Sequence, residues 1–132
     1  MSWSKDAEKA LKKKQAELEL LHQRCMFRVA AQTDVKSPVD TGRFRGNWIG
    51  AYGEIDRATF ESESRDSVGE VNVMLKASAV TGNYFYYTNS LPYAERLANG
   101  WSAQAEAGWT HAIGRNFSRY VREEKKRLNI ND

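Results

Sequence analysis

From Ser4 to Gln32 the chain is filled with alanine, leucine, lysine, glutamate and glutamine, all good helix formers. Within this stretch Leu18, Leu21, His22, Cys25, Met26 and Val29 recur at helical spacing and share one face. The pattern predicts a long helix, with Ser4 as its N-cap and Asp6 and Glu8 in the favourable first turn. The first half differs from the second. Lys12, Lys13 and Lys14 run together there, and few large apolar residues accompany them. That half, residues 1–17, is expected to project from the domain or to meet a partner.

Pro38 and Gly42 bracket a turn, since proline stops a helix and glycine relaxes the backbone. "GNWIGAYGEI", with Trp48 and Tyr52 among its β-prone residues, predicts a strand. Residues 56–66 are polar and predict a loop. "SVGEVNVMLKASA" carries two patterns. Val71, Val73, Leu75 and Ala77 alternate as in a strand, whereas Val68, Val71 and Leu75 fit a helix opened by a Ser67/Glu70 capping box. Both readings stand on the sequence, with helix preferred. "NYFYYT" predicts a second strand from its aromatic content. In "SLPYAERLANG" a short helical turn is expected, with Pro92 near its start and Gly100 as its stop. A last helix is expected from Gly108 to Leu128, on the period of Trp109, Ile113, Phe117, Tyr120, Val121 and Leu128. The elements add up to an α+β domain over residues 1–132. A small antiparallel or mixed sheet is expected to pack against the long N-terminal helix and a C-terminal helix.

Composition narrows the class. The chain has 132 residues, 41% of them hydrophobic, and a net charge of +3. Such a chain can bury a real core, and the mild basicity is weak evidence for a nucleic-acid partner. Its single cysteine, Cys25, cannot form an internal disulfide, which points to a reducing compartment. No apolar run reaches the ~20 residues needed to cross a bilayer, and the lysines near the N-terminus precede no apolar segment of a secretory signal. A protein made and used in a cytoplasm, with no membrane partner, is the expectation.

The one tripeptide with a catalytic ring to it is Asp40-Thr41-Gly42, as found around aspartic-protease carboxylates. Such enzymes need two aspartates sharing one proton at about 3 Å. Here Lys36, Ser37 and Pro38 precede the aspartate, and Arg43 and Arg45 follow it. Cations so close favour the ionised carboxylate and oppose a shared proton. The better reading is a turn in which Asp40 accepts backbone hydrogen bonds, Thr41 assists and Gly42 supplies the unusual backbone angle. His22 and Cys25 lie one helical turn apart, a spacing that suits metal ligands, yet their place on the apolar face favours a core role. With His111 as the only other histidine and no phosphate-loop glycine pattern, no metal, cofactor or catalytic set is expected.

Two stretches carry more together than apart. "SPVDTGRFRGNW" supplies Pro38, Val39, Asp40, Thr41, Gly42, Arg43, Arg45 and Trp48. "YYTNSLPYAERLANGWSAQAEAGW" supplies Asn89, Pro92, Tyr93, Ala94, Leu97, Gly100, Ser102, Gln104, Ala105 and Gly108. In order and separation the pair resembles the neck, or tail-completion, proteins of long-tailed bacteriophages. The likeness runs from about Ser37 to the last helix. It departs from the family pattern at Ala98 and Asn99, where an acidic residue is usual, at Glu106, where proline is common, and at Trp109, where methionine is.

The resemblance implies an α+β fold without catalysis, in a virion structural protein at the head–tail junction. It implies a homo-oligomeric ring between head connector and tail proteins, assembled in the host bacterial cytoplasm. Asp40 would then fix a turn that aims Arg43, Arg45 and Trp48. Tyr93, Trp101, Gln104 and Trp109 are further candidate interface residues, because four tryptophans exceed what a small core needs. Lys12, Lys13 and Lys14 suit either an acidic neighbour or non-specific contact with DNA in the channel. The alternative from another class is a small basic nucleic-acid-binding domain. It would use that lysine run and the stacking faces of Tyr84, Phe85, Tyr86 and Tyr87.

Overall fold

A computed structural model of the chain describes residues 3–39, 41–77, 83–100 and 104–131. Helix α1 (Trp3–Lys36) is followed by a 3-10 turn (Arg45–Asn47) and strand β1 (Trp48–Tyr52). Then come α2 (Ser67–Ala77), β2 (Phe85–Asn89), α3 (Ala94–Ala98), α4 (Trp109–Arg115) and α5 (Phe117–Arg127). The fold is α+β, with a two-stranded antiparallel sheet. Trp48 stands opposite Asn89 and Tyr52 opposite Phe85.

α1 has 34 residues and so runs about 51 Å. It passes the predicted Gln32 by one turn and stops where Pro38 follows. Proline disfavours helical angles at the residue before it. That residue, Ser37, closes the end by hydrogen bonding through both its N–H (2.9 Å) and its Oγ (2.6 Å) to the Thr33 carbonyl. Ser4 lies inside the helix, which already includes Trp3, so it is not the N-cap.

On the predicted face, Leu21 and Cys25 are buried and His22, Met26 and Val29 half-buried, but Leu18 stays exposed. Residues 3–16 are all exposed, as their lysines lead one to expect. The second half of α1 is therefore the spine, and two apolar clusters form along it. In one, Phe44, Leu91, Trp109, Ile113 and Tyr120 gather against Val29. In the other, Ala30, Val71 and Leu75 gather against Met26, Phe27 and the sheet aromatics Tyr52, Phe85 and Tyr87.

Residues 67–77 are helical, which resolves the two patterns. Val71 and Leu75, one turn apart, are both buried between α1 and the sheet. A strand would also have turned Val73 inward, whereas it is exposed. The cap is Asp66 rather than Ser67: Asp66 Oδ1 accepts from the Gly69 N–H at 2.9 Å, and Ser67 Oγ instead donates to the Arg45 carbonyl. Gly50 lets the sheet close down on α2, since a Cβ there would meet Val71 Cγ2 and the Phe85 ring.

The expected last helix is two, separated at Asn116. Asn116 Nδ2 donates to the Ala112 carbonyl at 2.9 Å, competing with its own backbone N–H for that acceptor. α5 is held to α1 by Arg28, which reaches Glu123 at 2.8 Å and Glu124 at 3.3 Å. Among the described residues, no helix is long and apolar enough to cross a membrane.

Candidate functional site

The residues after α1 must turn sharply to enter β1, and polar side chains build that corner. Arg45 Nη2 donates to the Ser37 carbonyl at 3.3 Å, and its Nε lies 3.8 Å from Asp34 Oδ1. Trp48 Nε1 donates to Ser37 Oγ at 3.0 Å. Thr41 Oγ1 accepts from the Arg43 N–H at 3.3 Å, the assisting role expected of it. Gly42 has φ +95°, and a Cβ there would run into the Glu63 carbonyl oxygen, so this turn requires glycine. Asp40, the residue that prompted the protease reading, lies outside the described residues, as does Trp101.

At the centre of the corner sits Asn47, fully buried. Its Nδ2 donates to the carbonyls of Arg43 (2.6 Å) and Phe60 (3.0 Å), and its Oδ1 accepts from the Phe60 N–H (2.7 Å). One amide thus fixes the turn to the long 53–66 loop. Sequence reasoning passed over Asn47; a lone amide just before an aromatic-rich strand was the available signal.

The second stretch meets the first directly. Gln104 Oε1 accepts from the Val39 N–H at 2.8 Å, and Gln104 Nε2 donates to the Val39 carbonyl at 2.6 Å. This is a two-point clasp between positions 65 residues apart. Asn89 Nδ2 donates to the Phe44 carbonyl at 2.8 Å and its Oδ1 accepts from the Leu91 N–H. Beneath these bonds the aromatics of both stretches pack on one another. Phe44 meets Trp48, Tyr93 and Trp109 at ring-centre distances of 5.8, 6.3 and 6.4 Å, and Trp48 stacks on Tyr87 at 5.4 Å. Gly100 (φ +89°) ends α3 as expected, and the Gly108 N–H returns to the Ala98 carbonyl.

Two of the candidate interface aromatics serve the chain's own interior. Trp109 is buried and donates its indole N–H to the Leu97 carbonyl at 3.0 Å. Trp48 is half-buried with its N–H likewise satisfied. Tyr93 is half-buried and Gln104 exposed. Arg43 lies over the 53–66 loop, 3.3 Å from the Phe60 carbonyl and 3.5 Å from Glu61. Pro38 is buried in the corner and Pro92 exposed at the entry to α3. Lys12 and Lys14 pair within their own helix with Glu8 and Glu17, and Lys14 Nζ also donates to the Asn131 carbonyl.

Two clefts flank the clasp. One of about 490 Å³ lies between Pro38, Arg43, Phe44, Glu63, Tyr93 and Gln104. The other, of about 410 Å³, lies between Lys36, Arg45, Gln104, Glu106 and Trp109. Arg43 in the first pairs with Glu61 and Arg45 in the second with Asp34. Among the described residues no three His, Cys, Asp or Glu side chains cluster as metal ligands. The Cys25 thiol is buried, which together with the nearby Glu124 pushes its pKa up to about 11, so at neutral pH it is a thiol. Burial lowers the pKa of His22 below its ordinary value, and its Nε2 lies 2.8 Å from Tyr52 Oη. What the geometry offers is a polar corner in which Asn47 and Gln104 tie distant backbone segments together. Compared with known protein families, curated proteins and solved structures, the chain has no significant match to any.

Proposed function

We propose that this chain is a virion structural protein of a long-tailed bacteriophage, a ring-forming neck or tail-completion subunit that joins tail to head. The observation that carries the reading is the Val39–Gln104 clasp. The two stretches that resemble the neck family are bonded to each other and share one aromatic cluster, so they work as one structural unit. A unit of this kind fixes the shape of an edge, which is what a subunit needs to meet its neighbour head to tail and close a ring. On this reading the protein is not an enzyme, and its partners are copies of itself, the head connector and tail proteins. A purified subunit is expected to be monomeric. Neighbours held on a preformed ring reach effective concentrations in the millimolar range, so weak edges close only at the junction.

The experiment is particle assembly with the gene removed. Filled heads and separate finished or overlong tails are expected, with joining restored by adding the purified protein. Normal infectious particles without the gene would end this reading.

A second reading, a small nucleic-acid-binding domain, draws on the fully exposed lysine-bearing half of α1. Tight binding to duplex DNA with a steep salt dependence would favour it. The aromatic strand argues against it in part, because Phe85 and Tyr87 face the core cluster under α2 rather than offering free stacking faces.

A further inference from the structure

We infer that the exposed N-terminal arm of α1 docks on the outer face of α2 in a neighbouring copy of this chain. The inference rests on the ring reading and says where one of its contacts lies.

The arm is amphipathic. At 3.6 residues per turn, Trp3, Ala7, Ala10 and Leu11 fall on one side, and Lys5, Lys9 and Lys12 on the other. Trp3 is 82% and Leu11 61% exposed. Among the described residues both are left uncovered. α1 is one unbroken helix, so the arm cannot fold back on its own domain.

The receiving face is on α2. Val73 lies two residues from the buried Val71, about 200° around the helix, and is 69% exposed. With Met74 it floors a groove of about 490 Å³ whose sides are Asp66, Gly69 and Glu70. Its own α1 packs on a different side of α2, near Asn72, Leu75 and Lys76. The described residues leave this face open, so an occupant from another molecule can reach it.

Charge selects this chain as its own partner. The arm over residues 3–14 carries five lysines against Asp6 and Glu8. The groove and the loop leading to it, residues 54–70, carry six carboxylates against two arginines. Opposite fields of this kind steer arm to groove, and the apolar arm face against the Val73 and Met74 floor supplies the contact. Two arms pairing with each other would bring like charges together, with Lys14 near the line of the apolar stripe. DNA would engage the lysine side and leave Trp3 and Leu11 in water. The face is only about three turns long, well below a standard interface, so a single contact is weak and closes only within a ring.

The test is directed cross-linking of full-length chains. L11C and V73C proteins are purified separately and mixed under mild oxidation; Cys25, being buried, stays out of the reaction. The expected product is a mixed L11C–V73C dimer that forms at up to about 1 mM protein. It should fall several-fold when Lys5, Lys9 and Lys13 of the arm chain are changed to glutamate. A predominance of L11C–L11C dimers, no mixed dimer at that concentration, or loss of the mixed dimer when short duplex DNA is added at physiological salt would overturn the inference. The ring reading is scored apart from it. A chain truncated before Lys14 that still takes its place in particles would sink the docking and leave the ring standing. If the wild-type chain is missing from particles, the ring falls whatever the cross-link shows.

Discussion

At the scale of the residue, the fold turns on a few buried polar groups rather than on the charged motif positions that attract the eye. Asn47 makes three hydrogen bonds in full burial, and removing it strands the Arg43 carbonyl and the Phe60 N–H and leaves the Phe60 carbonyl with Arg43 Nε alone. Asn47→Ala should cost about 2–3 kcal/mol by urea unfolding. Asn47→Asp should cost more, because it sets a carboxylate oxygen against two carbonyls; equal stability of all three proteins would refute the role given to this amide. His22 gives a pH signature. Burial lowers its pKa below the ordinary 6.5, so near and below that value the unfolded chain binds a proton the folded chain resists. More protons bound in the unfolded state means that stability rises with pH and falls as pH drops below about 6.5. The urea midpoint should decline between about pH 7 and pH 5, and His22→Gln should flatten that decline. An unchanged slope in the variant would assign it to other groups. Glu123 adds a separate loss at lower pH. Its hydrogen bond to Arg28 holds it below the ordinary carboxylate range, and that contribution goes as the carboxylate protonates.

At the scale of the element, α1 is two things in one helix. Residues 3–16 lie in solvent, while Leu21, Cys25, Ala30 and Thr33 are buried against the rest of the chain. Helices without tertiary support are marginal in water. Amide exchange should therefore be fast from Lys5 to about Lys13 and slow from Leu21 to Thr33. Uniform protection of the isolated subunit along the whole helix would mean that the arm is already covered. Much of this was legible in the sequence, for physical reasons that differ by element. The helix-forming composition of α1 and its lysine run gave the helix, short of its last turn, and its exposed half. Aromatic runs gave both strands, because such side chains fit a half-buried sheet. Residues 67–77 remained ambiguous, since Val71, Val73 and Leu75 satisfy two periods at once, and only packing on α1 decides between them. The break at Asn116 was hidden because the apolar period runs straight across it, while the interruption comes from a local side-chain bond. Of the candidate site, the turn residues Thr41, Gly42 and Gly100 were legible from backbone chemistry. The Val39–Gln104 clasp was not, because nothing local records a bond across 65 positions. Trp109 misled for a related reason: the fate of an indole N–H depends on where the chain returns, here to the Leu97 carbonyl.

At the scale of the whole molecule, a central helix packs against two apolar clusters, and a polar corner locks residues 37–48 to the segment around Gln104. At one end the basic arm of the helix is exposed, tied to the C-terminal segment through Lys14. On the proposed reading this arrangement gives a body and a projecting contact, which suits repeated head-to-tail association. The account stands or falls on where the protein sits in a finished particle. The direct measurement is a reconstruction of the neck region of purified virions by electron cryomicroscopy, with and without a small tag on the C-terminus of this chain. A closed ring of copies at the head–tail junction, carrying the tag density and fitted by α1 with its arm directed to the next copy, is the predicted result. Purified virions that lack the chain, or that hold it with the packaged DNA instead of at the junction, would contradict it.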